Sequence, residues 1–349
     1  MGDSVTVGDS ITGGDSITVG EMALEARAKL NLTLKILRRR PDGYHDIESV
    51  VQSVDLCDRI FLRAGSPVCV GSGGEEADIK LTCNDPSIPL VRGNLAMDAA
   101  LALAKFAGLR ASVEIKMEKR IPVAAGLGGG SADAAAVLTG LNHLWKLGLG
   151  KRELMAVGES LGADIPFCIL GGTGIIRGKG EQIELLPTPD ELWFVIVTLP
   201  DRVNTTRAYA RFDQLTETTG ARDAGFCDAG SYDTAVHVTD VTSGMVRALG
   251  AGRVQDIADR LTNDLERSAI SIVPSIARAK EALLAAGAVG VGMSGSGPTV
   301  FGIADSRTKA EAICGALKLS SGAFKEVFVC KAVPQGVACA RVPDAGAGH

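Results

Sequence analysis

Four glycines in five positions, Gly126, Gly128, Gly129 and Gly130, lie in the stretch Ile121-Pro122-Val123-Ala124-Ala125-Gly126-Leu127-Gly128-Gly129-Gly130-Ser131-Ala132-Asp133. Glycine lets the backbone approach a ligand closely and aim several N–H groups at one point. A helix start directly behind such a loop adds free N–H donors and the positive end of a dipole. The chemistry this arrangement suits is the binding of an anion, most often phosphate. A tight turn alone needs one or two glycines, not four. No Lys-Ser or Lys-Thr follows the last glycine, so the loop is not a Walker A. No acidic residue ends a second strand at the distance a dinucleotide fingerprint requires. A β-branched side chain at Gly129 is expected to occupy the phosphate space and restrict φ.

Two periodic segments hold this loop. Before it, Val113, Ile115 and Met117 alternate with Glu114, Lys116 and Glu118, the period of a strand. After it, Ala134 to Leu144 is rich in Ala and Leu and predicts a helix, with Ser131 placed to cap it. Upstream, alternation from Ala28 to Ile36 predicts a strand with Lys29, Asn31, Thr33 and Lys35 on one face. Pro41-Asp42-Gly43-Tyr44-His45 is a turn, further strand follows over 47–62, and 65–78 is a polar hairpin or loop. Asn94 to Ala107 predicts a helix capped by Asn94, and Lys151 to Leu161 a second short one. The continuous apolar run Trp193 to Leu199 predicts a buried strand, and 200–212 a loop entering a helix. Residues 217–235 are Gly/Asp/Thr-rich and read as mobile. Helices are expected at 254–265 and 276–286. A second glycine-rich loop, Gly292-Met293-Ser294-Gly295-Ser296-Gly297-Pro298, then runs into a strand. The Ala/Gly-rich tail from Val333 is expected to fray.

The pattern is α+β, without strict βαβ alternation. Its 349 residues suffice for two domains. The division read from the sequence is a low-complexity extension over 1–21, an N-terminal domain over 22–185, a C-terminal domain over 186–335 and a tail over 336–349. The extension repeats Gly-Asp-Ser at Gly2, Gly8 and Gly14 and lacks a basic n-region, so it is not a signal peptide. Aromatic residues make up only 4% of the chain, so the cores must be built from Ala, Val, Leu and Ile. No apolar run reaches the roughly 18 residues of a membrane span. A net charge of −5, with no basic tract beyond Arg38-Arg39-Arg40, argues against nucleic acid as the main partner. Eight cysteines with no CxxC pair look like reduced thiols of a cytoplasmic protein.

Ala28-Lys29-Leu30-Asn31-Leu32, the first glycine loop and the second glycine loop occur in an order that resembles the GHMP small-molecule kinases from Met22 to about Val333. Asp42-Gly43-Tyr44-His45, Leu161-Gly162-Ala163-Asp164-Ile165-Pro166 and Asn142-His143-Leu144-Trp145 narrow the resemblance to the branch acting on 4-diphosphocytidyl-2-C-methyl-D-erythritol. The resemblance implies a two-domain GHMP kinase fold whose N-terminal half is like domain 2 of ribosomal protein S5, with a left-handed βαβ crossover. It implies transfer of the γ-phosphoryl of ATP, accompanied by Mg²⁺, to the 2-hydroxyl of that substrate in the non-mevalonate isoprenoid route. ATP contacts would come from Asn94 and from Pro122, Val123, Ala124, Ala125, Gly126, Leu127, Gly128, Gly129, Gly130 and Ser131, with Ser131 a candidate Mg²⁺ ligand. Asp164 would be the general base. Lys29 would be its electrostatic partner, stabilising charge that develops on phosphate and hydroxyl. Substrate contacts would come from Asn31, Tyr44, His45, Thr205 and Tyr209, with the two tyrosines enclosing cytosine and His45 bonding its Watson–Crick edge through ring or backbone. The protein is expected to be a monomer or weak homodimer. Taken alone, Lys29 would be an ordinary solvated strand lysine, Asp164 a helix N-cap, and Tyr44-His45 a turn packed on the core. Ala124 and Ala125 stand where many relatives have glycines, which trims backbone freedom at the start of the loop.

Two other readings compete. One is a GHMP kinase acting on mevalonate, homoserine or a sugar, which would lack the Gly-Tyr-His turn paired with Leu-Gly-Ala-Asp. The other is a nucleotide- or RNA-binding module that kept the fold and lost the chemistry; Lys29, Asp164 and the negative net charge tell against it. The repeats carry no core-forming pattern, so a chain beginning at Met22 is expected to keep full turnover and melting temperature. A large loss of either would show that the repeats pack on the fold.

Overall fold

The computed structural model describes residues 20–69, 77–219, 239–319 and 324–340. The Gly-Asp-Ser repeats, nearly all of the segment read as mobile, and residues 341–349 lie outside the described residues.

Alternating apolar residues give β1 (Gly20–Asn31), which begins two residues ahead of the expected start at Met22. The strand expected over 28–36 is broken at Leu32, after which β2 (Thr33–Arg39) continues. Both run antiparallel to β3 (His45–Ala64), a 20-residue strand that is the spine of the first part. There follow β4 (Val68–Cys69), β5 (Asp78–Cys83), α1 (Leu95–Ala107), β6 (Leu109–Arg110), β7 (Ser112–Glu118), α2 (Gly129–Leu144), α3 (Lys151–Glu159), α4 (Ile165–Leu170), β8 (Thr173–Gly178) and β9 (Gln182–Leu186). The second part comprises β10 (Trp193–Thr198), α5 (Thr205–Thr219), α6 (Asp240–Ala251), α7 (Val254–Ala258), β11 (Thr262–Asn263), α8 (Glu266–Ile272), α9 (Ser275–Ala285), β12 (Gly290–Met293), β13 (Val300–Ala304), α10 (Arg307–Leu319), β14 (Glu326–Lys331) and β15 (Val337–Cys339).

The strands form a nine-stranded sheet around β3 and a four-stranded antiparallel sheet ordered β12-β13-β10-β14. The passage from one sheet to the other falls between β9 and β10, close to the expected division at 185. Two short segments cross back. β11 pairs in parallel with β2. The expected helix over 254–265 therefore stops at Ala258, because Thr262 and Asn263 bond as strand to Thr33 and Leu34. The tail does not fray before residue 340. β15 pairs with β1 through Leu24 and Cys339, and Arg27 N–H donates to Gly336 C=O at 2.9 Å. The assignment of 336–349 to a separate tail is thus corrected for its first residues, which bond into the N-terminal sheet.

Small side chains make the core close-packed. Ala132, Ala134, Ala135 and Ala136 are fully buried on α2, which lies against α1 and the sheet. A Cβ on Gly140 would stand 2.4 Å from Leu62 Cδ1 and 2.6 Å from Leu24 Cδ1, so the helix approaches the sheet as near as its backbone allows. α1 is capped as read: the Asn94 side chain accepts from Ala96 N–H at 2.9 Å.

The tightest passage joins α4 to the returning chain. Gly171, at φ 68°, has room for no Cβ, which would lie 1.7 Å from Gly336 N. A Cβ on Gly336 would lie 1.9 Å from Cys168 C=O. Gly336→Ala is therefore expected to lower stability by about 2 kcal/mol or more, since backbone must move to admit one methyl group. An unfolding midpoint equal to the parent's, measured by denaturant titration, would show that this crossing has slack.

Candidate active site

A β-bulge between Arg27 and Lys29 re-aims β1 where it meets the first glycine loop. Lys29 N–H donates to Leu127 C=O at 3.0 Å, so the strand and the loop share a backbone bond. The Lys29 side chain runs beneath the loop and is almost fully buried. Its Nζ donates to Asn31 Oδ1 at 2.8 Å and stands 3.5 Å from Asp164 Oδ2. Asp164 occupies the N-cap position of α4, yet its side chain makes no capping bond. The carboxylate is half-exposed and pairs with Lys29 across 135 residues of sequence, the difference between their numbers.

The loop is tighter than glycine count alone suggests. Gly126 and Gly128 adopt φ of 78° and 71°, the left-handed region. Ala124 is also left-handed, at φ 56°, so the position that departs from the glycine pattern carries strain of about 1 kcal/mol. α2 begins at Gly129, not at Ala134, and its N-cap is Gly128. Ser131 therefore does not cap the helix; it is the third helical residue. The free N–H groups of the first turn belong to Gly129, Gly130 and Ser131. Ser131 faces the Gly162–Asp164 turn: a Cβ on Gly162 would lie 3.9 Å from its Oγ. The expectation for Gly129 needs correcting. A Cβ there would meet Ile121 Cγ2 at 3.0 Å and Lys119 Nζ at 3.5 Å, so a side chain would strike protein, not phosphate space.

Asn94 and every residue from Pro122 to Ser131 line one cavity of about 550 Å³. Its volume is that of a small-molecule site. Thr205, at the start of α5, reaches the same cavity and bonds Ser296 Oγ at 2.9 Å. Lys119 and Asp133 also line it, and sequence reasoning gave neither a role. Lys119 Nζ bonds both Asp58 Oδ2 and Asp133 Oδ2 at 2.5 Å. Burial, with the charge of Asp58 and against the pull of Lys119, pushes the Asp133 carboxyl up to about 7. Burial also works against the charge on Lys119, but Asp133 and Asp58 outweigh it and hold the ammonium above its ordinary range. The sole sequence signal was Asp133 itself, a charge inside an otherwise apolar helix start.

The second glycine loop closes over the first. Ser294 Oγ donates to Gly126 C=O at 3.0 Å, and Gly295 N–H donates to Asn31 Oδ1 at 2.9 Å. Asn31 Nδ2 donates to Ser49 Oγ at 2.9 Å. Asn31 thus has both polar atoms engaged within the protein and links Lys29 to the second loop. Asn263, also unread from the sequence, holds the second loop by donating to Met293 C=O and Gly295 C=O, each at 2.8 Å.

The other predicted contacts divide into two groups. His45 is buried and stacks on Tyr209 with ring centroids 4.9 Å apart. Its Nε2 is 2.9 Å from Asp213 Oδ1, so that nitrogen already has a partner. Burial, followed by the charge of Asp164, pushes the Tyr209 phenol up to about 12 and keeps it neutral. Tyr44 stands apart from this stack. It is 63% exposed, with Lys179 Nζ 5.5 Å from its ring centroid. Burial, followed by the charge of Asp164, also pushes the nearby Cys168 thiol up, which keeps it protonated.

Comparison with known proteins bears on this geometry. The GHMP kinases N terminal domain family matches residues 94–172, and the GHMP kinases C terminal family matches residues 245–320. The chain is 42% identical over 317 residues to a 4-diphosphocytidyl-2-C-methyl-D-erythritol kinase of Gloeobacter violaceus, a match covering 90% of this chain and 95% of that one. A crystal structure of 4-(cytidine 5'-diphospho)-2C-methyl-D-erythritol kinase is similar with a TM-score of 0.66 at 32% identity, covering 88% of this chain and 98% of the other. Homoserine kinase from Cytophaga hutchinsonii superposes with a TM-score of 0.68 but only 20% identity, over 95% of this chain and 100% of that one. That last likeness shows the fold alone.

Gly128 offers a direct test of the loop. A Cβ there would lie 3.0 Å from Lys29 Cγ, and φ of 71° disfavours any side chain. Gly128→Ala is expected to cost about 1 kcal/mol of stability. By displacing Lys29 it should also lower turnover by about tenfold to 10²-fold. Parent-like turnover at saturating ATP would separate the Gly128–Lys29 contact from the chemistry.

Proposed function

The chain belongs to the GHMP kinases, in the group of 4-diphosphocytidyl-2-C-methyl-D-erythritol kinases, and from that footing we propose how its residues divide the work of phosphoryl transfer. The acceptor is 4-diphosphocytidyl-2-C-methyl-D-erythritol, the donor is ATP, and the hydroxyl phosphorylated is the one at position 2, a step of the non-mevalonate route to isoprenoids. The observation that carries this reading is the Lys29–Asp164 pair, 3.5 Å apart beneath the glycine loop, with the carboxylate left free of its capping bond.

Phosphoryl transfer asks a protein mainly for positioning and for relief of charge on the migrating group. The N–H groups of Gly129, Gly130 and Ser131 and the α2 dipole receive the phosphates. The acceptor hydroxyl lies against Asp164, which takes its proton as the oxygen forms a bond to the γ-phosphorus and the bond to ADP breaks. Lys29, fixed by Asn31, stabilises the charge that develops on the transferring group. Thr205 and the His45–Tyr209 stack define the acceptor side, and Tyr44 covers the base from the surface. Mg²⁺ accompanies ATP and neutralises charge on the phosphate oxygens. Ser131 is the side chain of the loop able to contribute to holding it, beside Asp164. Among the described residues no group of three or more His, Cys, Asp or Glu could hold a metal, which suits an ion bound chiefly through phosphate and water. No helix among the described residues is long and apolar enough to cross a membrane, and the scattered unpaired cysteines support a cytoplasmic setting.

Asp164→Asn keeps shape and removes the proton acceptor. Turnover on the cytidylyl substrate is expected to fall by roughly 10² to 10⁴. ATP and acceptor affinities should change far less. Lys29→Ala should also lower turnover, and the double variant should lose less than the product of the two. Single-turnover transfer, with binding measured separately, checks this. An Asp164→Asn enzyme within a few-fold of the parent would remove Asp164 from the mechanism. Equal or faster phosphorylation of mevalonate, homoserine or galactose by the parent would overturn the choice of acceptor.

A further inference from the structure

We propose that Asp58, Lys119 and Asp133 are positioning residues that clamp the base of the glycine loop, tying its entry to the helix behind it and so fixing the spacing of the N–H donors that receive ATP. The inference rests on the reading of this loop as the ATP seat.

The entry is held at three successive residues. Asn84 Oδ1 accepts from Lys119 N–H at 2.7 Å, and Asn84 Nδ2 donates to Lys119 C=O at 3.3 Å. Asp58 Oδ1 accepts from Arg120 N–H at 2.5 Å and Ile121 N–H at 2.8 Å. Asp58 is fully buried on β3, the most extensively paired strand of the sheet, so the loop departs from a fixed point. Its second oxygen, Oδ2, takes Lys119 Nζ, and the same ammonium crosses to Asp133 Oδ2 on α2. The Lys119 side chain thus spans the neck of the loop, from two residues before Ile121 to the fifth residue of the following helix.

Stability alone does not account for this group. Two carboxyl groups and one ammonium, all at most about 5% exposed, are buried together beside Met117 and Ile121. Apolar residues of like volume would fill such a site at no greater cost. The ammonium is taken up by the carboxyl groups, so the group offers an anion no free positive charge. What the three residues supply is geometry. Donors must converge on phosphate oxygens within a fraction of an ångström to bind strongly, and a loop open at its neck would lose that convergence.

The test uses the full chain and ATP as probe. Asp133→Leu leaves Lys119 balanced by Asp58 and cuts only the crossing to α2. The dissociation constant for ATP should rise about tenfold or more, as should KM for ATP. Turnover at saturating ATP and KM for the acceptor should stay within a few-fold of the parent. Asp133→Asn keeps an oxygen for Lys119 and should recover most of the ATP affinity. Amide exchange at 123–130 should quicken in the leucine variant and not in the asparagine variant. If Asp133→Leu does not fold, Asp133→Ser, with room for a water, takes its place. ATP binding by the leucine or serine variant equal to the parent's would overturn the clamp. So would an equal loss in Asp133→Asn, which would assign the effect to charge. A parent that binds no ATP would instead sink the reading of the loop itself.

Discussion

The contact on which the rest depends is the meeting of the two glycine loops around Asn31. Gly126 comes so close to the second loop that a Cβ would lie 2.6 Å from Ser294 C=O. That approach brings together segments about 170 residues apart and welds the two sheets at one point. Asn31 sits in the seam with its carbonyl oxygen shared by Lys29 Nζ and Gly295 N–H. The Lys29 ammonium is therefore oriented by the same oxygen that holds the second loop. A shift of either loop would move Lys29, and through it the partner of Asp164. The glycines here are a packing requirement first: two of them admit a neighbouring chain where any side chain would collide, and the anion seat is what the resulting close backbone leaves exposed.

Much of this was legible in the sequence, because short-range physics wrote it. Alternation pointed to β1 and β7, the apolar residues of 47–62 to β3, the continuous apolar run to β10, and Asn94 before an apolar helix to the start of α1 with its cap. Asn94 and the whole stretch Pro122–Ser131 do line one cavity. What escaped was decided by partners distant in sequence. The break at Leu32 comes from the register β1 and β2 take on β3, which no local pattern records. The helix read over 254–265 yields to strand at Thr262 because β2 offers a free edge there. Ser131 looked like a cap because its residue type favours that role, but a left-handed Gly128 begins the helix three residues earlier. Asp58 and Lys119 each read as one more polar residue near a strand end. Only the fold shows that they share a proton-donating bond under the loop.

The same distinction separates the secure part of the functional reading from the proposed part. Superposition on homoserine kinase at 20% identity shows that the fold is shared, and nothing finer. The phosphate side of the site is built within one core, by β1, the loop, α2 and α4. The contact of His45 on the N-terminal sheet with α5 joins the two parts of the chain: the ring stacks on Tyr209 and is bonded to Asp213 on the same helix. A surface contributed by two parts of the chain can change on one side without disturbing the glycine loop on the other.

Charge around the seat completes the argument. A Walker-type site places a lysine on the phosphates as a free cation. Here both buried lysines near the loop are already engaged: Lys119 by two carboxylates, Lys29 by Asp164 and Asn31. Counted together, these groups offer no surplus positive charge to a nucleotide. What the loop offers an anion instead is oriented dipoles, namely the free N–H groups at the head of a 16-residue helix. Dipoles act only when aimed, whereas a free ammonium can follow its target. A seat that relies on dipoles therefore needs a backbone held still, and this loop is held by Asp58 at its entry, by Lys29 N–H at Leu127 and by Ser294 at Gly126. The fixed bonds around this short glycine-rich segment are what keep its N–H groups aimed.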